Sequence, residues 1–212
     1  MRTTSVRLMR VPGYVVVVLA LLAGLLLPGS VATAATTSGQ AGQLRGVITF
    51  DKNWDHPQRS RLTWQVFRHR DGKRQLVEKK SWRAGSGFTR RSTDACRKND
   101  GWLPDGDYRP RLYANYWGSL IKGRAIGLGA KQCANGTWRT DLFIHTEQGD
   151  RNRQCPDRKG DQVCRWEYPR FDDYRSYGCV KMSPRDLREL VAAWRTHFDL
   201  GADSRVRVRV TR

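Results

Sequence analysis

The sequence is poor in acidic residues and in long hydrophobic runs. It has 20 Asp and Glu residues against 39 Lys and Arg residues, a formal charge of +19 at pH 7 over 212 residues. One long apolar run, at 14–27, has no second run to follow it. Repeats and heptads are also absent, which argues against solenoids and coiled coils. The sequence therefore describes a basic chain with a single apolar segment near its start.

Motifs for metal and cofactor chemistry are missing or incomplete. There is no H-E-x-x-H, and Gly127-Leu128-Gly129 has no phosphate-loop lysine in register. His145-Thr146-Glu147 has the H-x-E order of zinc deaminases, but the P-C-x-x-C that supplies their other zinc ligands is missing. We therefore expect neither a metal ion nor a cofactor.

The segment 1–35 has the composition of a secretory signal peptide. Three arginines precede the apolar run, and small residues follow it at 32–35. The run is short for a bilayer span, and no cysteine near the end of the segment could carry a lipid. We predict cleavage near residue 34 or 35 and a secreted, extracytoplasmic protein with no stable membrane span. An uncleaved N-terminal anchor is the alternative.

The remaining chain has the length of one domain. Residues 36–43 are small and polar and form a predicted flexible lead-in, and 44–212 form a predicted single domain. The positive charge is spread along this domain, which favours an anionic partner. For an exported protein we expect anionic cell-envelope polymers rather than nucleic acid, and a monomer associated with the cell wall.

Five cysteines are an odd number for a compartment that favours disulfides, so at least one is expected to stay unpaired. If Cys179 is the unpaired one, three pairings of the other four remain. We favour Cys155 with Cys164, which share a polar, turn-rich insertion. We also favour Cys96 with Cys133, which lie in loops between strand-like runs.

Hydrophobic patterning predicts a mainly β fold of the α+β class with one principal helix. Strand-like runs separated by turn residues lie at 46–50, 62–69, 75–82, 108–114, 121–128, 137–145 and 206–210. Asp71-Gly72 predicts a hairpin between the second and third runs. The helix is predicted over 184–198, with Ser183 as its N-cap and Gly201 placed to end it.

A candidate nucleophile lies just before this helix. Gly178 precedes Cys179, and its lack of a side chain lets backbone N–H groups converge beside the sulfur, where an oxyanion would form. His145 ends the run 137–145, and a strand end presents a base rigidly. The residues therefore form a candidate Cys/His catalytic pair. The structural alternative is a buried or disulfide-bonded Cys179 and a histidine that only packs.

The segment 176–182, Ser-Tyr-Gly-Cys-Val-Lys-Met, resembles the S-x-G-C-[IV]-R-M signature of the L,D-transpeptidase catalytic domain (YkuD type). Ile144-His145 matches the upstream pair that supplies that family's histidine. The segment 103–108 is similar to the family's T-P-x-G-x-Y segment. The resemblance covers roughly residues 100–212, and it implies a β-sandwich with one principal helix after the cysteine and a C-terminal strand.

The chain departs from the family pattern at several points. Tyr177 stands where many members have His, Lys181 where they have Arg, and Thr146 where Gly or Ser is usual. The stretch between the histidine and the cysteine is also longer than usual, and it holds the insertion described above. These departures bear on substrate preference.

The resemblance implies acyl transfer on peptidoglycan stem peptides. Cys179, activated by His145, would attack the carbonyl of an L-centre–D-alanine bond, release D-alanine and leave a thioester. An amine of a second stem would resolve the thioester into a cross-link. The backbone carbonyl of Thr146 would orient the imidazole, and the N–H groups of Gly178 and Cys179, with Tyr177 as a further donor, would hold the oxyanion.

Ser176, Lys181 and Arg175 are the predicted substrate-binding residues, the last two for substrate carboxylates, with shaping of the turn as the alternative role for Ser176 and Lys181. The histidine and the local positive charge are expected to lower the pKa of the Cys179 thiol. Three other functions remain open. They are an L,D-carboxypeptidase in which water resolves the thioester, an exported cysteine peptidase acting on proteins, and a non-catalytic basic module that binds the envelope.

Overall fold

The computed structural model describes residues 42–89 and 92–211. The predicted leader, 1–35, lies outside the described residues. Ten strands and one α-helix within the described ranges make the protein mainly β, as predicted, and the strands form two mixed sheets. In those same ranges no helix is long and apolar enough for a bilayer crossing.

The first sheet has the strand order β3-β2-β1-β10-β4. Its strands are β1 (Gln43–Asp51), β2 (Ser60–Arg70), β3 (Lys73–Ala84), β4 (Gly106–Tyr108) and β10 (Val206–Thr211). β1 and β10 run parallel, with Gly46 opposite Val206, and the other neighbours are antiparallel. The predicted β2–β3 hairpin turns at Asp71 and Gly72, whose φ angles of 52° and 69° suit the tight turn. Residues 36–41 of the predicted lead-in lie outside the described residues, and its last residue, Gln43, belongs to β1.

The second sheet has the order β8-β7-β6-β5-β9. Its strands are β5 (Arg111–Trp117), β6 (Lys122–Gln132), β7 (Trp138–His145), β8 (Val180–Lys181) and β9 (Gly201–Ala202). β7 and β8 run parallel, whereas the other neighbours are antiparallel. The long connection between β7 and β8 therefore begins and ends at one edge of this sheet.

Each predicted strand run overlaps an observed strand, but the run 108–114 is divided between the two sheets. β4 ends at Tyr108 and β5 begins at Arg111. Pro110 lies between them and has no N–H to donate to a ladder, which accounts for the break. The two-residue strands β8 and β9 were not predicted.

The predicted helix is observed as α1 (Pro184–His197). The Ser183 hydroxyl accepts a hydrogen bond from the Asp186 N–H at 3.1 Å, so Ser183 is the N-cap, as predicted. The expectation for Gly201 was wrong. The helix ends at His197 with Phe198 in an extended cap conformation, and Gly201 instead begins β9 at φ 89°.

One cluster of buried apolar side chains joins both sheets and α1. Trp64 from β2 stacks on Trp194 from α1 with ring centroids 5.9 Å apart, and Phe198 meets Trp64 edge-on at 5.8 Å. Ile144 of β7 and Val180 of β8 belong to the same cluster and are fully buried. The core therefore fixes the parallel edge of the second sheet, just beside Cys179.

Candidate active site

Cys179 and His145 lie at the parallel edge of the second sheet, His145 at the end of β7 and Cys179 one residue before β8. His145 is opposite Lys181, and the pair before it, Ile144 and Val180, points into the core. Because side chains alternate between the faces of a strand, His145 and Lys181 lie on the other face, as does Cys179 one residue before β8. The register thus places Cys179 two residues before the partner of His145, at the same edge of the sheet. The contacts of the sulfur itself are with the backbones of Asp141 and Phe143.

The imidazole of His145 is held by the backbone of the next residue. Its Nδ1 atom lies 3.1 Å from the carbonyl oxygen of Thr146. A carbonyl oxygen can only accept, so Nδ1 carries the proton and the neutral ring keeps its lone pair on Nε2. Burial and the nearby Lys181 cation lower the pKa of His145 to about 3, against the opposing effect of the Thr146 carbonyl. The ring is therefore neutral at pH 7 and able to accept a proton.

The sulfur of Cys179 is held as a neutral thiol. Its S–H donates to the carbonyl oxygen of Asp141 at 3.4 Å. Burial raises the thiol pKa to about 11, although a backbone hydrogen bond from Phe143 and the charges of Lys181 and Arg139 lower it. The expectation of a depressed thiol pKa was therefore wrong, because desolvation outweighs the positive charge nearby. Ionisation of this thiol must accompany proton transfer to a base.

The turn before Cys179 depends on a glycine and a serine. Gly178 has φ 120°, in the left-handed region that favours glycine. The hydroxyl of Ser176 donates to the carbonyl of Cys179 and accepts from the Gly178 N–H at 3.3 Å. Ser176 therefore shapes the turn rather than facing a substrate, and the Gly178 N–H, a predicted oxyanion donor, is bonded within the turn. Tyr177 is 62% exposed, and its ring stacks on Phe88 with centroids 5.1 Å apart.

Lys181 and Arg175, the predicted partners of substrate carboxylates, already have partners within the protein. The ammonium of Lys181 contacts the carboxylate of Glu147, and both side chains are largely buried. Arg175 pairs with Asp172 at 3.5 Å on the surface. Burial and nearby carboxylates raise the pKa of Glu147 to about 7, although Lys181 lowers it. The Lys181 charge is thus committed to a buried ion pair.

Three carboxylates meet beside that pair. Glu147, Asp161 and Asp173 bring oxygens within 4.8 Å of one another, close enough to share one cation. Oε2 of Glu147 and Oδ1 of Asp173 are buried without a hydrogen-bond partner among the described residues. These are the side chains with which the described part of the chain could hold a metal ion.

A groove of about 360 Å³ lies on the second sheet, and neither Cys179 nor His145 lines it. Two of its lining residues, Asp141 and Phe143 of β7, contact Cys179 through their backbones. The remaining lining residues come from β5 and the residues before it, from β6 and from β7: Arg109, Arg111, Tyr113, Tyr116, Gly127, Gly129 and Leu142. The groove therefore combines aromatic side chains with two arginines.

The four remaining cysteines differ in state. Cys155 and Cys164 form the expected disulfide. Cys96 and Cys133, the other favoured pair, are thiols in this structure rather than a disulfide. Their thiols are in hydrogen-bonding contact with each other, so the loops that carry them do meet.

Sequence reasoning missed four residues of this region. Glu147 gives Lys181 its buried partner, and Arg139 contacts the backbone of the Cys179 turn. Arg109 and Arg111 line the groove. The alternation of Arg109-Pro110-Arg111-Leu112-Tyr113 could have indicated that two arginines share a face there. No local pattern marks Glu147 or Arg139, because both act on residues more than thirty positions away.

No family model matches the chain, and no curated protein matches it. Among solved structures, the chain is similar to "Structure of Bdellovibrio bacteriovorus Bd1075", with 15% sequence identity and a TM-score of 0.41. The match covers 79% of this chain and 48% of that one. The chain thus spans about half the length of the solved protein.

Proposed function

We propose that this protein is an exported cysteine acyltransferase of the L,D-transpeptidase type that acts on peptidoglycan stem peptides. The observation that supports the proposal is the parallel register of β7 and β8, in which His145 is opposite Lys181 and Cys179 comes one residue before β8. The signature at 176–182 and the Ile144-His145 pair support it from the sequence. We also propose that the two sheets face each other as a YkuD-like β-sandwich, which the shared buried cluster supports.

In the first half of the reaction, Nε2 of His145 takes the proton from the Cys179 thiol as the sulfur attacks the carbonyl of the L-centre–D-alanine bond. The tetrahedral oxyanion collapses, and the C–N bond breaks. The imidazolium returns its proton to the departing amine, so D-alanine leaves and a thioester remains. The neutral ring, with its proton on Nδ1, is the form that this transfer requires.

In the second half, the amine of another stem peptide gives a proton to His145 and attacks the thioester. The C–S bond breaks, the thiolate regains a proton from the imidazolium, and a cross-link is released. Water in place of the amine would make the protein an L,D-carboxypeptidase. Muropeptide products distinguish the two outcomes, since only the amine reaction yields a dimer.

The groove offers a place for the acyl donor. Arg109 and Arg111 line it, together with Asp141 and Phe143, whose backbones contact Cys179. Guanidinium groups pair with carboxylates in a bidentate way, and stem peptides carry carboxylates. We propose that these arginines, rather than Lys181 and Arg175, bind the donor stem. Association with anionic wall polymers is proposed on the strength of the formal charge, which is +19 for the whole chain and 19 − 3 = +16 without the three arginines of the leader.

A second candidate function is a non-catalytic basic module that binds the envelope. The raised thiol pKa of Cys179, about 11, favours it, because a sulfur that stays protonated is a poor nucleophile. An exported cysteine peptidase acting on proteins is a third outcome that the same experiment tests.

The test uses the protein without residues 1–35 and purified muropeptides with a free acceptor amine. Mass spectrometry follows D-alanine release, the thioester on the protein and the dimeric product. Cys179→Ala should abolish all three signals, and His145→Gln should lower D-alanine release at least a hundredfold. His69→Gln, which changes an exposed histidine of β2, is the matched control and should retain activity.

Absence of D-alanine release and thioester in a folded wild-type protein would overturn the proposal in favour of the binding module. Cleavage of a protein substrate with no action on muropeptides would instead identify a peptidase. Unchanged turnover in Cys179→Ala would exclude any role for the sulfur.

A further inference from the structure

Arg139 is a buried arginine without a carboxylate partner among the described residues. Its side chain is in β7, and the residue is 4% exposed. A buried guanidinium is costly unless its donors are satisfied. Sequence alternation alone would not place a charged residue there, so its hydrogen bonds are informative.

Backbone carbonyls satisfy this guanidinium. Nη1 donates to the carbonyl of Ala95 and, at 3.5 Å, to that of Trp102. Nη2 donates to the carbonyl of Gly101 at 3.3 Å and to that of Tyr177 at 2.9 Å. The first three belong to the loop before β4, and the fourth belongs to the turn that carries the nucleophile. The planar fork of arginine can join two loops in this way, whereas an ammonium cannot.

The glycine of the turn makes this contact possible. A Cβ placed on Gly178 would lie 2.1 Å from Nη2 of Arg139, closer than any two such atoms approach. Gly178 therefore serves two purposes, since it adopts φ 120° and it admits the guanidinium against the peptide that precedes Cys179. The Tyr177 carbonyl that accepts from Arg139 belongs to the Tyr177–Gly178 peptide, so this hydrogen bond fixes the orientation of that peptide.

Other contacts hold the opposite side of the same turn. The Ser176 N–H donates to the Gly87 carbonyl at 3.1 Å, and the Ser86 hydroxyl donates to the Gly178 carbonyl at 3.4 Å. The Phe88 ring stacks on Tyr177. With Arg139 removed, the turn keeps these contacts, so we expect a local change of its geometry and not the loss of the fold.

We propose that Arg139 is a positioning residue for Cys179. It holds the Tyr177–Gly178 peptide, whose N–H is bonded to Ser176, so that the next N–H of the turn, that of Cys179, points toward the attacked carbonyl. This inference rests on the proposed acyl transfer. Arg139 also acts on the sulfur whether or not a substrate is bound. Its positive charge favours the thiolate and so lowers the pKa of Cys179.

Two probes separate these effects. Iodoacetamide alkylates the thiolate without forming an oxyanion, so its rate reports the ionisation of the sulfur alone. D-alanine release from a muropeptide requires both ionisation and a correctly oriented oxyanion site. Amide hydrogen exchange over 174–182 reports the order of the turn in the same samples.

The variants are Arg139→Met, which removes charge and fork, and Arg139→Lys, which keeps the charge and loses the fork. Arg195→Met changes an exposed arginine of α1 and is the control. In Arg139→Met we expect alkylation of Cys179 at pH 9 to slow several-fold and D-alanine release to fall at least a hundredfold. In Arg139→Lys we expect near-normal alkylation but at least a tenfold loss of D-alanine release. In both variants, the amide hydrogens of the turn should exchange with solvent faster than in the wild type.

Wild-type alkylation, turnover and exchange in a folded Arg139→Met protein would overturn the proposal. Failure of both variants to fold, seen by circular dichroism, would also overturn it and assign Arg139 to the stability of the whole domain. If the wild type releases no D-alanine, the proposed function fails. The alkylation and exchange measurements then still decide whether Arg139 orders the turn.

Discussion

The Nδ1 atom of His145 lies 3.1 Å from the carbonyl oxygen of Thr146, so the base is oriented by the peptide that follows it and not by a carboxylate. A backbone carbonyl fixes the tautomer without adding negative charge. In the proposed reaction, the imidazolium that would form gains no neighbouring anion from this contact. Proton return to the leaving amine is correspondingly favoured.

The first prediction concerns the ionisation of the sulfur. Because burial raises the thiol pKa of Cys179 to about 11, the free protein should be alkylated by iodoacetamide about tenfold faster for each unit between pH 7 and pH 10. Peptide mapping after timed reaction of non-reduced protein measures the rate, and Cys179→Ala is the blank. An alkylation rate that stops rising below pH 8 would instead indicate a preformed thiolate–imidazolium pair.

The second prediction concerns acid stability. The pKa of His145 is about 3 in the folded protein, against about 6.5 in the unfolded chain, so the unfolded state binds more protons between these values. The stability associated with the neutral ring is present above pH 6.5 and is lost as the pH falls toward 3, by about 1.4 kcal/mol per unit. Urea unfolding of the wild type and of His145→Gln at several pH values measures it.

Comparison with the variant is needed because Glu147 titrates in the opposite sense. Its folded pKa of about 7 means that its contribution is present at acid pH and lost as the pH rises toward 7. Since both proteins keep Glu147, its effect cancels in the difference. A difference in unfolding free energy that does not change with pH would contradict the assignment of a buried neutral His145.

The third prediction concerns the buried pair of Lys181 and Glu147. Either Lys181→Met or Glu147→Gln leaves a charged group buried without its partner, and each should lower the unfolding free energy by about 3–5 kcal/mol. The double variant should lose much less than the sum, because neither charge remains. A double-mutant cycle by chemical denaturation gives the coupling. Additive losses would show that the pair contributes little.

The fourth prediction concerns the thiols outside the site. Cys96 and Cys133 are thiols here, yet they contact each other. In an oxidising compartment we expect them to form a disulfide, which leaves Cys179 as the one reactive thiol in the denatured, never-reduced protein. Thiol titration in denaturant, together with mass spectrometry, gives the number of free thiols. Three reactive thiols would match the state in the structure and contradict the expectation.

Local signals in the sequence were sufficient for most of the fold. Alternation marked the long strands, Asp71-Gly72 marked the hairpin, and Ser183-Pro184 marked the start of α1. β8 and β9 were missed because two residues show no period. The parallel pairing of β1 with β10 also has no local signal, because it joins residues 160 positions apart.

The sequence marked Cys179 and His145 as candidate site residues, but it did not indicate their environment. Cys179 and His145 carry short motifs, whereas the partner of Lys181 and the contacts of Arg139 depend on how distant segments meet. The expected pKa of Cys179 had the wrong direction because charge can be counted in a sequence and burial cannot.

The parallel pairing of β1 with β10 also determines the order in which the protein can be assembled. β1 is synthesised well before its parallel neighbour, Val206–Thr211, which follows it in the sequence by about 160 residues. Until then the strand presents unpaired N–H and C=O groups, a template for association with other chains. A protein that lacks the six residues of β10 should therefore aggregate through the exposed edge of β1, although its β2–β3 hairpin can still form.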